Sequence, residues 1–125
     1  MNKTLTLSFG KIQIENRIVT AEINEGVHLT LELSEEIVLS VFKSIGDKPT
    51  IYISNRINSY SIDPTLYSTI SNIKNIIGIA IVNDMEIFES SVQIEKFFFK
   101  NKFKHFNTLS SAISWAEKEL ALYNI

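Results

Sequence analysis

The chain contains no cysteine. That excludes a disulfide framework, a thiol nucleophile and any Cys-ligated zinc or iron–sulfur centre. Only two histidines are present, His28 and His105, far apart and with no second ligand at metal spacing. The expectation is therefore no metal site and no cofactor. Four glycines are scattered singly, so neither a dinucleotide fingerprint nor a Walker loop can be assembled. No G-x-S-x-G elbow presents any of the 14 serines as a nucleophile. The net charge of −2 excludes a strongly basic nucleic-acid binder and an acidic disordered tail as whole-chain descriptions. The longest apolar stretch is Ile76–Val82, broken by Gly78, far short of the roughly 20 residues of a membrane span. The N-terminal residues alternate apolar and polar, unlike a signal peptide. Together these absences lead us to expect a soluble cytoplasmic protein without nucleic-acid partners or stable membrane insertion.

What is present is enough for a core. Hydrophobic residues make up 45% of 125 residues, so one domain over residues 1–125 is expected. Such a chain buries about two-thirds of its unfolded surface. Twenty isoleucines and 11 asparagines against 5 alanines point to an A/T-rich bacterial genome.

Alternation runs through Leu5, Leu7 and Phe9 and restarts at Ile12 and Ile14. The shift in parity reads as a bulge at Gly10 within one long first strand, in preference to a break there between two short ones. Glu15–Arg17 is expected as a hairpin tip before a second strand, Ile18–Ile23. Val27–Leu33 is ambiguous between extended and loop. Ser34 is read as the N-cap of a first helix, followed by Glu35 and Glu36 and stopped at Gly46. Thr50–Ser54 reads as a short buried strand and Asn55–Ile62 as a polar loop. Asp63-Pro64 opens a second helix, with Leu66, Ile70 and Ile73 inside. Ile76–Val82 has the look of a central strand covered on both faces. Asn83-Asp84 would cap a third helix over about 85–99; Lys100–Phe106 is extended; Asn107 or Thr108 caps a last helix with Ala112 and Ala116 on its inner side. The order is ββαβαβαβα, an α/β domain with a mixed sheet of about five strands and about four helices.

Three stretches, GKIQIENRIVTAEINEGVHLTLE, IIGIAIVND and FNTLSSAISWAEKEL, resemble the STAS/SpoIIAA-like group of small bacterial proteins. The resemblance extends from about Leu5 to Leu122 and rests on fold motifs, not on catalytic ones. It implies a regulatory or interaction module acting through a protein partner or a homodimer. It also touches the lipid-transfer CRAL-TRIO type, which implies an apolar small molecule as ligand. Antagonists of this group are switched by phosphorylation of a Ser in an Asp-Ser pair at the start of a helix. The corresponding segment, SNRINSYSIDPTLYST, has no such pair, and Ser59 and Ser61 are the candidate phospho-regulatory residues in its place.

The segment KFFFKNKFKHF, residues 96–106, gathers four lysines and five phenylalanines. It is read first as a lysine-rich helix end with Phe98 and Phe99 in the core, and secondarily as a basic-aromatic surface. Phe97, Phe103 and Trp115 are the candidate interface or ligand contacts. A receiver-type phospho-acceptor role for Asp84 is rejected, because no acidic pair follows the first strand. The expected function is a non-catalytic regulatory or protein-interaction module, not an enzyme. The alternative is a binder of a small apolar or amphipathic ligand, which a closed cavity beneath the third helix would favour.

Overall fold

The computed structural model describes residues 2–83 and 85–123, with the side chains of 85–91 left aside. The elements in order are β1 (Asn2–Leu7), β2 (Gly10–Glu15), β3 (Ile18–Ile23), β4 (His28–Leu29), α1 (Leu31–Ile45) and β5 (Thr50–Asn55). They continue with β6 (Ser61–Ile62), α2 (Leu66–Ile70), β7 (Ile76–Val82), α3 (Met85–Phe98), β8 (Lys102–Phe106) and α4 (Leu109–Ala121). Six strands form one sheet in the order β1-β2-β3-β5-β7-β8. The first three run antiparallel as a meander, and the pairs from β3 onward are parallel. A separate two-stranded piece joins β4 to β6.

The expected five strands thus become six plus two, and the first correction is at Gly10. The parity shift there reflects a turn at Ser8-Phe9 between two strands, not a bulge inside one, since Leu7 pairs directly with Gly10. Gly10 is required by crowding: a Cβ would lie 2.6 Å from the Glu22 carbonyl oxygen and 3.1 Å from the Ile23 Cα. The second hairpin turns where expected, with Asn16 in the left-handed region at φ 57°.

The second correction is the start of α1. Thr30, not Ser34, is the N-cap; its hydroxyl accepts from the Leu33 N–H, and Glu32 takes the first turn. Ser34 lies inside the helix and donates to the Leu31 carbonyl. Gly46 ends the helix as expected, at φ 77° with its N–H on the Phe42 carbonyl. The third correction concerns Asp63. Its carboxylate accepts from the Thr65 N–H and hydroxyl in a turn, and the helix begins only at Leu66. Thr108 caps α4, accepting from the Ser111 N–H. Asp84, expected as a cap of α3, lies outside the described residues.

The sheet divides the core into two. On one face Ile18, Ile51, Ile53, Ala80 and Val82 pack beneath Ala112, Ala116 and Leu120 of α4. On the other, Ile12, Val19, Ile79 and Ile81 meet residues from α1, α2 and α3. β5 serves both faces by strand alternation: Ile51 and Ile53 point to α4, and Thr50, Tyr52 and Ser54 to the other side. No helix of the described residues is long and apolar enough to cross a membrane.

Candidate functional site

Between α1 and α2, above β5 and β7, lies a cavity of about 440 Å³. Its floor is Val19, Tyr52, Ser54 and Ile79, and its walls carry Ile37 and Val41 from α1 and Ile70 from α2. Leu39 and Phe42, each 55% exposed, line it from the outer part of α1. Most of its lining is aliphatic or aromatic, and Glu35 is the one charged residue among the lining side chains. Both the volume and the lining fall in the range of small-molecule pockets. The cavity sits beneath the first and second helices, a different place from the closed cavity beneath the third whose presence would have favoured the ligand-binding alternative.

At the C-terminal end of β5, Ser54 and Tyr60 line the cavity and are held by a buried network behind the floor, while Thr50 and Asn75 line its other end. Arg56 follows β5, its backbone N–H bound to the Val82 carbonyl at 2.9 Å. Its guanidinium grips both oxygens of Glu95 from α3, at 2.8 Å to Oε2 and with a second contact to Oε1. Both side chains are over nine-tenths buried. The Arg56 Nε donates to the Ser54 Oγ at 3.0 Å, and Ser54 and Tyr60 share a hydrogen bond of 2.8 Å. The Tyr67 hydroxyl donates to Glu95 Oε1 at 2.7 Å, so this carboxylate is triply satisfied. The Arg56 guanidinium also stands 5.7 Å from the centre of the Tyr60 ring. Burial works against the Arg56 charge, yet its bond to Glu95 keeps the group protonated beyond the usual arginine range. Burial, and then the negative charge of Glu95, push the Tyr67 hydroxyl well up from 10.0. Burial also raises Tyr52, reinforced by Tyr60.

Tyr60 is positioned by its loop. The Gly26 N–H donates to the Ser59 carbonyl, the Ser61 N–H to the Val27 carbonyl, and the Asn58 side chain to the Ile23 carbonyl. These bonds tie residues 58–61 to the β3–β4 turn and hold the Tyr60 ring over the floor. Ser59 and Ser61 flank it on the exposed side. The Ser61 hydroxyl is bonded to His28 Nδ1 at 2.7 Å.

The structure disperses the other candidates. Phe97 is 84% exposed on the outer side of α3. Phe103 is 7% exposed and stands edge-on to Tyr67, a core contact and not a surface one. Phe99 joins them in the core, Phe98 is half-buried, and Phe106 stacks against Trp115 on the opposite face of the sheet. Trp115 covers Gly78, where a Cβ would meet its ring at 3.1 Å. None of these aromatics lines the cavity. His105 contacts the buried Asn83 side chain, whose Nδ2 has no partner among the described residues. Among the described residues no group of three or more His, Asp or Glu gathers as a metal site.

Sequence reasoning missed Tyr52, Tyr60, Tyr67, Arg56 and Glu95. One signal was legible: Val92, Glu95 and Phe99 fall on one helical stripe, and a carboxylate on an inward stripe demands a partner.

No family model matches the chain, and no curated protein does. Among solved structures it is similar to an uncharacterised DUF3478-family protein with a SpoIIAA-like fold from Shewanella loihica PV-4. The TM-score is 0.59 over 93% of this chain and 95% of that one, at 15% identity. The chain has the SpoIIAA-like fold. At that identity the similarity speaks for the arrangement of strands and helices alone.

Proposed function

We propose that this protein is a non-catalytic binding module of regulatory kind, whose working part is the α1/α2 cavity and whose ligand is a small apolar or amphipathic molecule. The observation that carries this is the cavity itself: about 440 Å³, with a largely apolar lining in which a few hydroxyl groups are set. An amphiphile suits such a lining, tail against the apolar side chains of α1 and α2, head toward Tyr52 and the Ser54–Tyr60 pair. The lining holds no histidine or lysine, and its one carboxylate belongs to the exposed Glu35. Such a set of groups suits holding a molecule more than transforming it. Native mass spectrometry of protein isolated without denaturation tests this. The expected result is an adduct of about a few hundred daltons, the size such a volume admits, lost on denaturation. A bare mass in every preparation, together with no binding of the neutral apolar dye Nile red, overturns it.

A second mode of action, by protein contact, is favoured by one specific feature. Ile94 and Phe97, spaced i and i+3 on α3, are 53% and 84% exposed. An apolar pair of that exposure suits an interface with a second copy or another protein. Sedimentation of the wild type beside Phe97→Lys tests the homodimer: a concentration-dependent dimer that the substitution abolishes supports it, and a monomer at all concentrations removes it.

A further inference from the structure

Resting on the cavity as the binding site, we infer from a count of its hydroxyl protons that the ligand carries an uncharged oxygen head, a carbonyl or hydroxyl, and that carboxylates and other anions are excluded. Ser54 and Tyr60 have two hydroxyl protons between them, and their mutual bond uses one. The Arg56 Nε occupies an acceptor position on Ser54 and contributes no further acceptor. Whichever partner donates, one proton of the pair remains unused. Tyr67 has spent its proton on Glu95. Tyr52 lines the same floor, and its hydroxyl is a further donor there. Two donors thus face a largely apolar chamber. A single carbonyl or hydroxyl oxygen, with two lone pairs, satisfies both. Donors that open onto the cavity are otherwise served by water, which a head group meeting both of them replaces with matched bonds.

Anions fit less well, although both groups are donors. The one buried cation nearby, Arg56, is already neutralised by bidentate contact with Glu95. The only charged lining residue is itself acidic, Glu35. The elevated Tyr52 hydroxyl reports the same environment: burial and the neighbouring Tyr60 and Glu95 disfavour negative charge there more than Arg56 favours it. A carboxylate head would meet the same penalty. The cavity has room for about 15 water volumes at ~30 Å³ each, enough for an eight-carbon chain with its head.

The experiment compares four eight-carbon probes, octan-2-one, octan-1-ol, octanoate and octylammonium, by competition against Nile red at pH 8. The expected ranking places ketone and alcohol at least about tenfold tighter than either ion. Tyr52→Phe lowers the ketone affinity about three- to tenfold, the worth of one hydrogen bond, once referred to the dye affinity of the same variant. Octanoate binding as tightly as the ketone overturns the head-group inference while leaving the cavity as a binding site. Failure of all four probes and of the dye overturns the binding site itself. Should Tyr52→Phe fold poorly, the ranking on the wild-type protein and Tyr60→Phe decide the matter alone.

Discussion

Removing one member of the Arg56–Glu95 pair should damage this protein more than removing both. Glu95→Leu leaves a guanidinium over nine-tenths buried with only the Ser54 hydroxyl as acceptor. Arg56→Met leaves a carboxylate equally buried with only Tyr67 donating to it. Breaking a buried pair on one side costs about 3–5 kcal/mol, because the surviving charge has lost its compensation. Domains of this size have about 5–15 kcal/mol in total, so either substitution removes about a fifth or more of the stability. The double substitution Arg56→Met with Glu95→Leu withdraws both charges and refills the space with similar volume. It should cost less than either single change. Urea unfolding followed by Trp115 fluorescence provides the comparison; Trp115 lies on the α4 face, away from the substituted pair. Single variants within about 1 kcal/mol of wild type, or a double variant as unstable as the sum of the singles, would refute the account of a mutually neutralised buried pair.

Three further outcomes follow from the fold. Thr30→Ala should destabilise by about 1 kcal/mol through loss of the α1 cap, whereas Ser34→Ala should change little; equal effects in thermal unfolding would contradict the placement of the helix start. Gly10→Ala should cost about 1–3 kcal/mol, because its methyl meets the Glu22 carbonyl in a paired strand; an unchanged urea midpoint would show that β2 and β3 can separate without penalty. In alkaline spectrophotometric titration Tyr52 and Tyr67 should remain protonated well above 10.0 while the chain is folded. Both values are raised by burial, so the folded state holds protons that the unfolded chain releases above about pH 10. Stability is therefore unaffected by these groups at lower pH and falls as the pH climbs beyond that point. Four tyrosines ionising together near pH 10 without unfolding would contradict the burial.

The elements whose signals are local were legible from sequence. The run Ile76–Val82 is a central strand, Gly46 ends α1, and the inner stripe of α4 is the one its spacing implied. Errors arose where two local signals compete. Ser34 followed by two glutamates has the chemistry of a cap, yet Thr30 four residues earlier captures the Leu33 N–H, and the extra turn buries Ser34. Asp63-Pro64 has the chemistry of a helix start, yet Asp63 spends its carboxylate on Thr65 in a turn. The candidate site was hardly legible, because its parts come from distant segments. Tyr52 and Tyr60 are separated by a loop whose position depends on bonds to the β3–β4 turn, and Glu95 reaches Arg56 only once α3 has crossed the sheet. The paired β4 and β6 are two residues each, too short for periodicity to register.

The alternation along β5 has an evolutionary consequence. Its even positions, Thr50, Tyr52 and Ser54, line the cavity, and its odd positions, Ile51 and Ile53, belong to the α4 core. Point substitutions at the even positions can therefore reshape the cavity without disturbing the structural half of the molecule. An insertion or deletion within the strand has no such freedom, since a slip of one residue exchanges the two sets and turns tyrosine and serine toward α4. Descendants of this sequence should vary the cavity lining by replacement inside β5 and accept changes of length only in the loops on either side of it.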